Sequence, residues 1–192
     1  MKQKSLKHLM YRWRQKIMPY GKTRHSTQYV KEQNKSKKIN VCELGVSKGY
    51  NARNLLSVLN IDMLYLVDTY KPFTYLGKTN TDYVDGRAVA ERRLRRFGNV
   101  KFFFEDCVVA AKLVPDGLDF IYYDAAPDYD TVMSVLSAWF PKLRAGGVIG
   151  GRGVTFATVC EIRAVLAFVD KHKGKCIEDG RANEWWIKKI IK

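Results

Sequence analysis

From Lys38 onward, short continuous apolar runs alternate with amphipathic stretches. Ile39 to Leu44, Met63 to Val67, Val100 to Phe104, Leu118 to Tyr123 and a run opening at Val148–Gly150 predict five strands. Helices are predicted between and after them, over Asn51 to Leu59, Tyr83 to Phe97, Val108 to Leu113, Tyr129 to Leu143 and Thr158 to His172. Lys175 to Glu178 and Glu184 to Ile191 read as two closing strands around a turn at Asp179-Gly180. Residues 70 to 81, with Pro72 and Gly77, read as a loop. Unbroken apolar strands alternating with helices predict an α/β fold, a doubly wound parallel sheet covered on both faces. Two successive strands at the end predict an antiparallel edge.

The first 37 residues follow another pattern. Leu6, Leu9, Met10, Trp13 and Ile17 recur every three or four residues, which predicts one amphipathic helix over residues 4 to 18 with a Lys/Arg-rich back. Pro19-Tyr20-Gly21 ends it, and the polar, basic run from 22 to 38 reads as a linker or mobile arm. The expected division is a basic helix and arm over 1–37 and a folded domain over 38–192.

Charge sharpens that division. The chain carries 34 Lys and Arg against 19 acids, a formal net charge of +15. Residues 1–38 hold twelve of those cations and one acid, Glu32. The body is only mildly basic, so a polyanion, an anionic surface or plain solvation are the candidate reasons for the arm. No apolar run approaches the roughly 20 residues of a membrane span, and no apolar segment follows the basic N-terminus as in a secretory signal. Cys42, Cys107, Cys160 and Cys176 are far apart in sequence, which favours free thiols over a disulfide or metal set and points to a cytoplasmic setting.

Candidate chemistry gathers at strand ends. Glu43-Leu44-Gly45-Val46-Ser47-Lys48-Gly49 is a strand that breaks into a glycine turn and then a helix. Such a turn lets backbone approach a ligand closely, while the following helix offers free N–H groups. Its Gly-x-x-x-Gly spacing differs from the Gly-x-Gly-x-x-Gly of dinucleotide binders and points to another adenosine-bearing cofactor. Asp68, Asp106 and Asp124 close three successive strands, where a doubly wound sheet forms its ligand crevice. Asp68 is placed to accept from two ribose hydroxyls at once, and Asp106 from an adenine amine.

These residues carry a resemblance. The Glu43 to Gly49 run with Asp68, Glu105-Asp106 and Asp124 resembles class I S-adenosylmethionine-dependent methyltransferases. The segment Ile121 to Tyr129, followed by Trp139, Pro141 and Gly146-Gly147-Val148-Ile149-Gly150-Gly151, is similar to the small O-methyltransferase subgroup that includes macrocin-type enzymes. The resemblance covers residues 38 to 190 and implies a Rossmann-like, seven-stranded sheet, mostly parallel with an antiparallel last strand. It implies S-adenosyl-L-methionine as cofactor, with Glu43, Gly45, Val46, Ser47 and Gly49 facing its methionine and ribose part. Asp68 would hold the ribose, Asp106 and Cys107 would meet the adenine, and Asp124 would lie by the methionine amine and the reacting centre. Methyl transfer to oxygen of a small-molecule or sugar-like acceptor follows as the expected activity.

The chain departs from these relatives where chemistry would occur. Many relatives have histidine where Pro127 stands, and His-Asp where Arg152 and Gly153 stand. The acid of that pair helps bind Mg²⁺ in metal-dependent members, so no metal is expected here. Asp124 and Asp128 remain as catalytic candidates, although Asp128 also reads as a helix N-cap. His8, His25 and His172 read as surface residues, and Tyr129 either lines the acceptor pocket or packs. Two rival readings remain open. One is a nucleic-acid methyltransferase that grips RNA or another polyanion through residues 1–38 and the Arg87 to Arg96 helix. The other is a cofactor-fold binding module that has lost catalysis. The Leu6/Trp13 stripe is read as docking on the body or on a second copy in a homodimer, with a membrane surface as the minor alternative. In Trp185-Trp186, adjacent side chains of one strand should face opposite ways, one into the core.

Overall fold

The computed structural model describes residues 23–75, 78–80, 85–152, 159–172, 175–181 and 184–190. The amphipathic helix expected over residues 4 to 18 lies outside them. The described elements, in chain order, are α1 (His25–Asn34), β1 (Ile39–Leu44), α2 (Tyr50–Val58), β2 (Ile61–Val67), β3 (Phe73–Tyr75), β4 (Lys78–Asn80), α3 (Gly86–Leu94), β5 (Val100–Phe103), α4 (Cys107–Ala110), β6 (Leu118–Tyr123), α5 (Tyr129–Trp139), β7 (Leu143–Arg152), α6 (Val159–Lys171), β8 (Cys176–Arg181) and β9 (Glu184–Lys189).

Seven strands form one sheet in the order β5-β2-β1-β6-β7-β9-β8. β5, β2, β1, β6 and β7 run parallel, and β9 is antiparallel to both of its neighbours. The antiparallel strand is therefore inserted beside the edge, and β8 forms the edge itself. A hairpin that pairs through its second strand produces this order. The chain walks outward from β1 to β2 and β5, then returns to lay β6 against the other side of β1. That reversal opens a crevice between the carboxyl ends of β1 and β6.

Alternation along β1 and β6 divides the core. Ile39, Val41, Phe120 and Tyr122 pack towards α1, α2 and α3, with Val30, Leu55 and Leu94. Cys42, Leu44, Ile121 and Tyr123 pack towards α4, α5 and α6, with Val135, Trp139 and Phe168. The two tryptophans divide as alternation requires. Trp185 joins the α5–α6 side, while Trp186 stacks on Tyr29 of α1 with ring centroids 5.4 Å apart.

Two segments differ from the sequence reading. Residues 73–80 contain a small antiparallel hairpin, β3 with β4, instead of a plain loop. The polar run from 22 to 38 is no linker over most of its length, since it holds α1, which packs on β7 and β9. Its buried residues are Ser26, Thr27 and Val30, too few apolar groups for a helical period to show. The anchor is polar: Ser26 donates its backbone N–H and its hydroxyl to Glu184 Oε2, both at 3.0 Å. Gly150 permits the approach, because a Cβ there would stand 3.2 Å from Ser26 Cβ and 3.0 Å from Trp186 Cβ.

Candidate functional site

β1 and β6 meet at their carboxyl ends. The backbone N–H of Asp124 donates to Leu44 O at 2.8 Å, and Gly45 follows with φ +88°. A Cβ on Gly45 would lie 2.3 Å from the carbonyl oxygen of Asp124. The glycine is required twice there, by the left-handed backbone and by the close approach of the next strand.

Above this junction lies a cleft of about 240 Å³, lined by Gly45, Asp68, Thr69, Lys71, Pro72, Asp106, Cys107, Asp124, Ala125, Ala126 and Thr131. Five residues singled out from sequence thus share one hollow: Gly45, Asp68, Asp106, Cys107 and Asp124. Val46, Ser47 and Gly49 do not line it. They belong to the turn beneath, with Gly49 at the N-cap of α2. Glu43 lies on the α2 side of the sheet, 1% exposed.

Asp68 organises the turn. Its Oδ2 accepts from the N–H groups of Val46 and Ser47, both at 2.8 Å, and its Oδ1 accepts from Tyr70 N–H at 2.8 Å. Ser47 (φ 48°) and Tyr70 (φ 51°) are both left-handed without being glycine, a strained state that Asp68 holds in place. Of about four acceptor positions on the carboxylate, three are taken, which leaves one for a ligand hydroxyl instead of the two expected from sequence. Asp106 caps α4 through Oδ1, accepting from Val108 N–H at 2.8 Å and Val109 N–H at 3.3 Å. No hydrogen bond reaches its Oδ2 among the described residues. Cys107 is held by Trp139, whose indole N–H donates to the Cys107 carbonyl at 2.8 Å. Burial, with Asp106 and Asp68 adding to it, pushes the Cys107 thiol up to about 12, so it stays neutral.

Asp124 is open to solvent at the cleft mouth, while the protein packed on its inner side raises its pKa above the ordinary carboxylate value. Arg152 and then Arg24 oppose that rise, and Glu184 adds to it. These four converge for topological reasons. Tyr123 pairs with Gly151, which brings Asp124 beside Arg152, and Arg152 pairs with Glu184, which anchors α1 just after Arg24. Arg24, Glu184, Lys71 and Thr131 were not singled out from sequence. Arg24 sat in an apparent linker, and the partner of Ser26 lies 158 positions away.

Asp128 is the N-cap of α5, its Oδ1 accepting from Thr131 N–H at 2.9 Å. Asp128→Ala should lower stability by about 1 kcal/mol in urea unfolding, and Asp128→Asn, which can still cap, should restore it. Equal losses in both variants would exclude the cap as the main role. Two of the histidines are less exposed than expected. His25 is half-buried, and His172 stacks on Phe168 with centroids 4.0 Å apart. No group of three or more His, Cys, Asp or Glu stands together among the described residues.

Two buried acids flank the site. Glu43 accepts from Asn51 Nδ2 at 3.0 Å through Oε1, and its Oε2 has no partner among the described residues. Burial raises its pKa to about 8, against the Asn51 hydrogen bond and with help from Asp124 and Asp68. Glu161 of α6 accepts from Trp185 Nε1 at 2.7 Å, and burial raises it to about 7. Both acids bind a proton more tightly in the folded chain than in the unfolded one. The stabilisation from this binding is complete below the ordinary carboxylate range and is lost as pH rises through about 7 to 8. Thermal unfolding between pH 5 and pH 8.5 should therefore show a falling midpoint, with a smaller fall in Glu43→Gln. An unchanged slope in that variant would place the titration elsewhere.

A family model described as a methyltransferase domain matches residues 42–151, more than half of the chain. No curated protein matches it in sequence. Among solved structures, a Streptococcus thermophilus rRNA methylase is 13% identical with a TM-score of 0.63, the match covering 86% of this chain and 95% of that one. A Streptococcus mutans protein assigned as a methyltransferase, solved in complex with SAH, is 15% identical with a TM-score of 0.64, covering 88% of this chain and 100% of that one. The O-methyltransferase NovP is 13% identical with a TM-score of 0.63, covering 86% of this chain and 80% of that one.

Proposed function

The chain belongs to the methyltransferase-domain family, and from that premise we propose that it transfers a methyl group from S-adenosylmethionine to the oxygen of a hydroxyl-bearing, sugar-like acceptor, as the macrocin-type subgroup does. One observation carries this reading: Asp68, Asp106 and Asp124, from three successive strand ends, wall a single cleft over Gly45. The residues fit the cofactor. Gly45 leaves the space a Cβ would fill, Asp68 keeps one acceptor position for a ribose hydroxyl, and Asp106 Oδ2 is open to an adenine amine. The neutral Cys107 thiol offers a soft wall beside the base. When bound, the cofactor supplies an electrophilic methyl group on a sulfonium centre.

Catalysis by this chain is mostly alignment. Asp124 faces the end of the cleft where the cationic part would sit, and carboxylates favour a cation there. Its raised pKa also makes it a stronger proton acceptor than an ordinary aspartate, which suits it to take the acceptor hydroxyl proton. Arg152 and Arg24 favour the ionised form of that carboxylate and draw an anionic acceptor towards it. The four cysteines are free, which supports a reducing, cytoplasmic setting.

Calorimetry with S-adenosylhomocysteine tests the cofactor assignment, and transfer of isotope-labelled methyl to hydroxyl compounds tests the reaction. Binding that is lost in Asp106→Ala but kept in a surface control such as Lys112→Ala is the expected result. No binding by the intact chain would overturn the assignment.

A further inference from the structure

The outer surface of the α2–α3 layer carries a second hollow, of about 320 Å³, which the methyl-transfer reading does not use. Its walls are Arg53 of α2 with Val89, Arg92, Arg93, Arg95 and Arg96 of α3 and the turn after it. Among the described residues, no acid and no lysine lines it. Aromatic rings order the guanidinium groups. Arg53 and Arg96 lie 5.4 and 5.5 Å from the Phe97 centroid, and Arg93 lies 3.6 Å from that of Tyr50. Arg53 also donates to the Arg93 carbonyl at 3.4 Å, and Arg93 donates to the Lys48 carbonyl. The only acid within α3, Glu91, is engaged by Arg87 at 3.1 Å.

Helix-end electrostatics explains part of this arrangement. Arg92 and Arg93 occupy the last turn of α3, where cations offset a partial charge of about half a unit. That leaves Arg95 and Arg96, past the last turn. The like charges of Arg92, Arg93, Arg95 and Arg96 around one hollow repel unless an anion joins them. One phosphate monoester brings a charge of about −1.5 to −2, which is too little; a run of phosphates matches. Guanidinium forks suit phosphate oxygens better than ammonium groups do. A membrane surface would instead reward exposed apolar groups, but Ala90 and Leu94 of α3 point into the core.

We propose that this hollow docks the phosphodiester backbone of single-stranded RNA and that the acceptor is a ribose hydroxyl on the same strand. The second half of the proposal rests on the methyl-transfer reading. α3 links the two sites. Gly86, at its start, leaves no room for a side chain: a Cβ there would lie 3.3 Å from the Ser47 carbonyl oxygen and 3.4 Å from the Tyr70 ring, both beside Asp68. Eight residue steps at about 1.5 Å place the arginine-rich end about 12 Å away, roughly four stacked nucleotides at about 3.4 Å each. Arg87, 3.6 Å over the Phe104 ring, stands between the two. RNA supplies what the cleft needs, a 2′-hydroxyl on every nucleotide.

The test is fluorescence anisotropy of a labelled 20-nucleotide single-stranded RNA with the full chain, between 50 and 200 mM salt, for the wild type and for Arg92→Ala/Arg95→Ala/Arg96→Ala. The triple variant leaves the basic N-terminus intact. It should bind at least about tenfold more weakly and lose about 2 from the slope of log K against log salt. S-adenosylhomocysteine affinity should stay unchanged. Unaltered RNA binding in the variant, no RNA binding by the wild type, or tighter binding to phosphatidylserine vesicles than to RNA would each overturn the docking site. RNA binding without S-adenosylhomocysteine binding would uphold the docking site and sink the cofactor reading instead.

Discussion

Gly45→Ala should abolish measurable binding of S-adenosylhomocysteine, a loss of at least about 100-fold, or about 2.8 kcal/mol. The added methyl would stand 2.3 Å from the Asp124 carbonyl oxygen and 2.7 Å from its carbon, on a backbone at φ +88°. Neither atom can turn aside, because both belong to the main chain of Asp124, directly after β6 of the central sheet. The sheet would have to open at β1/β6, or the glycine turn would have to leave its left-handed conformation. Either change displaces Asp124 from Asp68. Strain of this kind costs about 1–3 kcal/mol in stability as well, so urea unfolding should move together with the calorimetry. Gly98→Ala is the control, since nothing lies within 4 Å of the added atom. A Gly45→Ala protein whose affinity stays within about threefold of wild type would mean that the ligand does not sit over this junction.

Strand ends were legible in the sequence because burial on both faces leaves strands predominantly apolar. Ile39–Leu44 and Leu118–Tyr123 show this, and the acids that follow β2 and β6 mark where the chain leaves the sheet. The line of Asp68, Asp106 and Asp124 along one crevice follows from that regularity alone. Other features depend on partners that sequence spacing cannot supply. α1 looks like a linker because polar contacts hold it, Ser26 to Glu184 above all, with Val30 as its one fully buried aliphatic residue. The β3–β4 hairpin is too short to set up an alternating pattern. The arginines of α3 were visible as a charged helix, but the hollow exists only because α2 packs alongside, with Gly49 against Ala90, and adds Arg53. Asp68 was read as a ligand-binding residue. Its first task, holding two left-handed residues, is a backbone property that side-chain identity does not reveal.

That double duty sets the second large effect. Asp68→Ala removes the acceptor for three backbone N–H groups, those of Val46, Ser47 and Tyr70. Hydrogen bonds to a charged group contribute about 1.5–3 kcal/mol each, but Asp68 is only half-buried and lines an open cleft, so water entering its place can replace part of the loss. A net destabilisation of about 3 kcal/mol is therefore expected. Affinity for S-adenosylhomocysteine should fall at least about 100-fold, more than one lost ribose contact would explain, because Ser47 (φ 48°) and Tyr70 (φ 51°) will relax from their strained conformations. The two contributions can be separated. Amide hydrogen exchange at Val46, Ser47 and Tyr70 reports the turn without any ligand, and should accelerate in Asp68→Ala. Asp68→Asn keeps one acceptor oxygen but turns an amide N–H towards one set of donors, so it should fall between wild type and alanine in both measurements. If the three amides stay protected while affinity collapses, Asp68 acts on the ligand alone. If the amides are released and affinity is kept, the glycine turn takes no part in binding, and the assignment of the cofactor to this crevice fails with it.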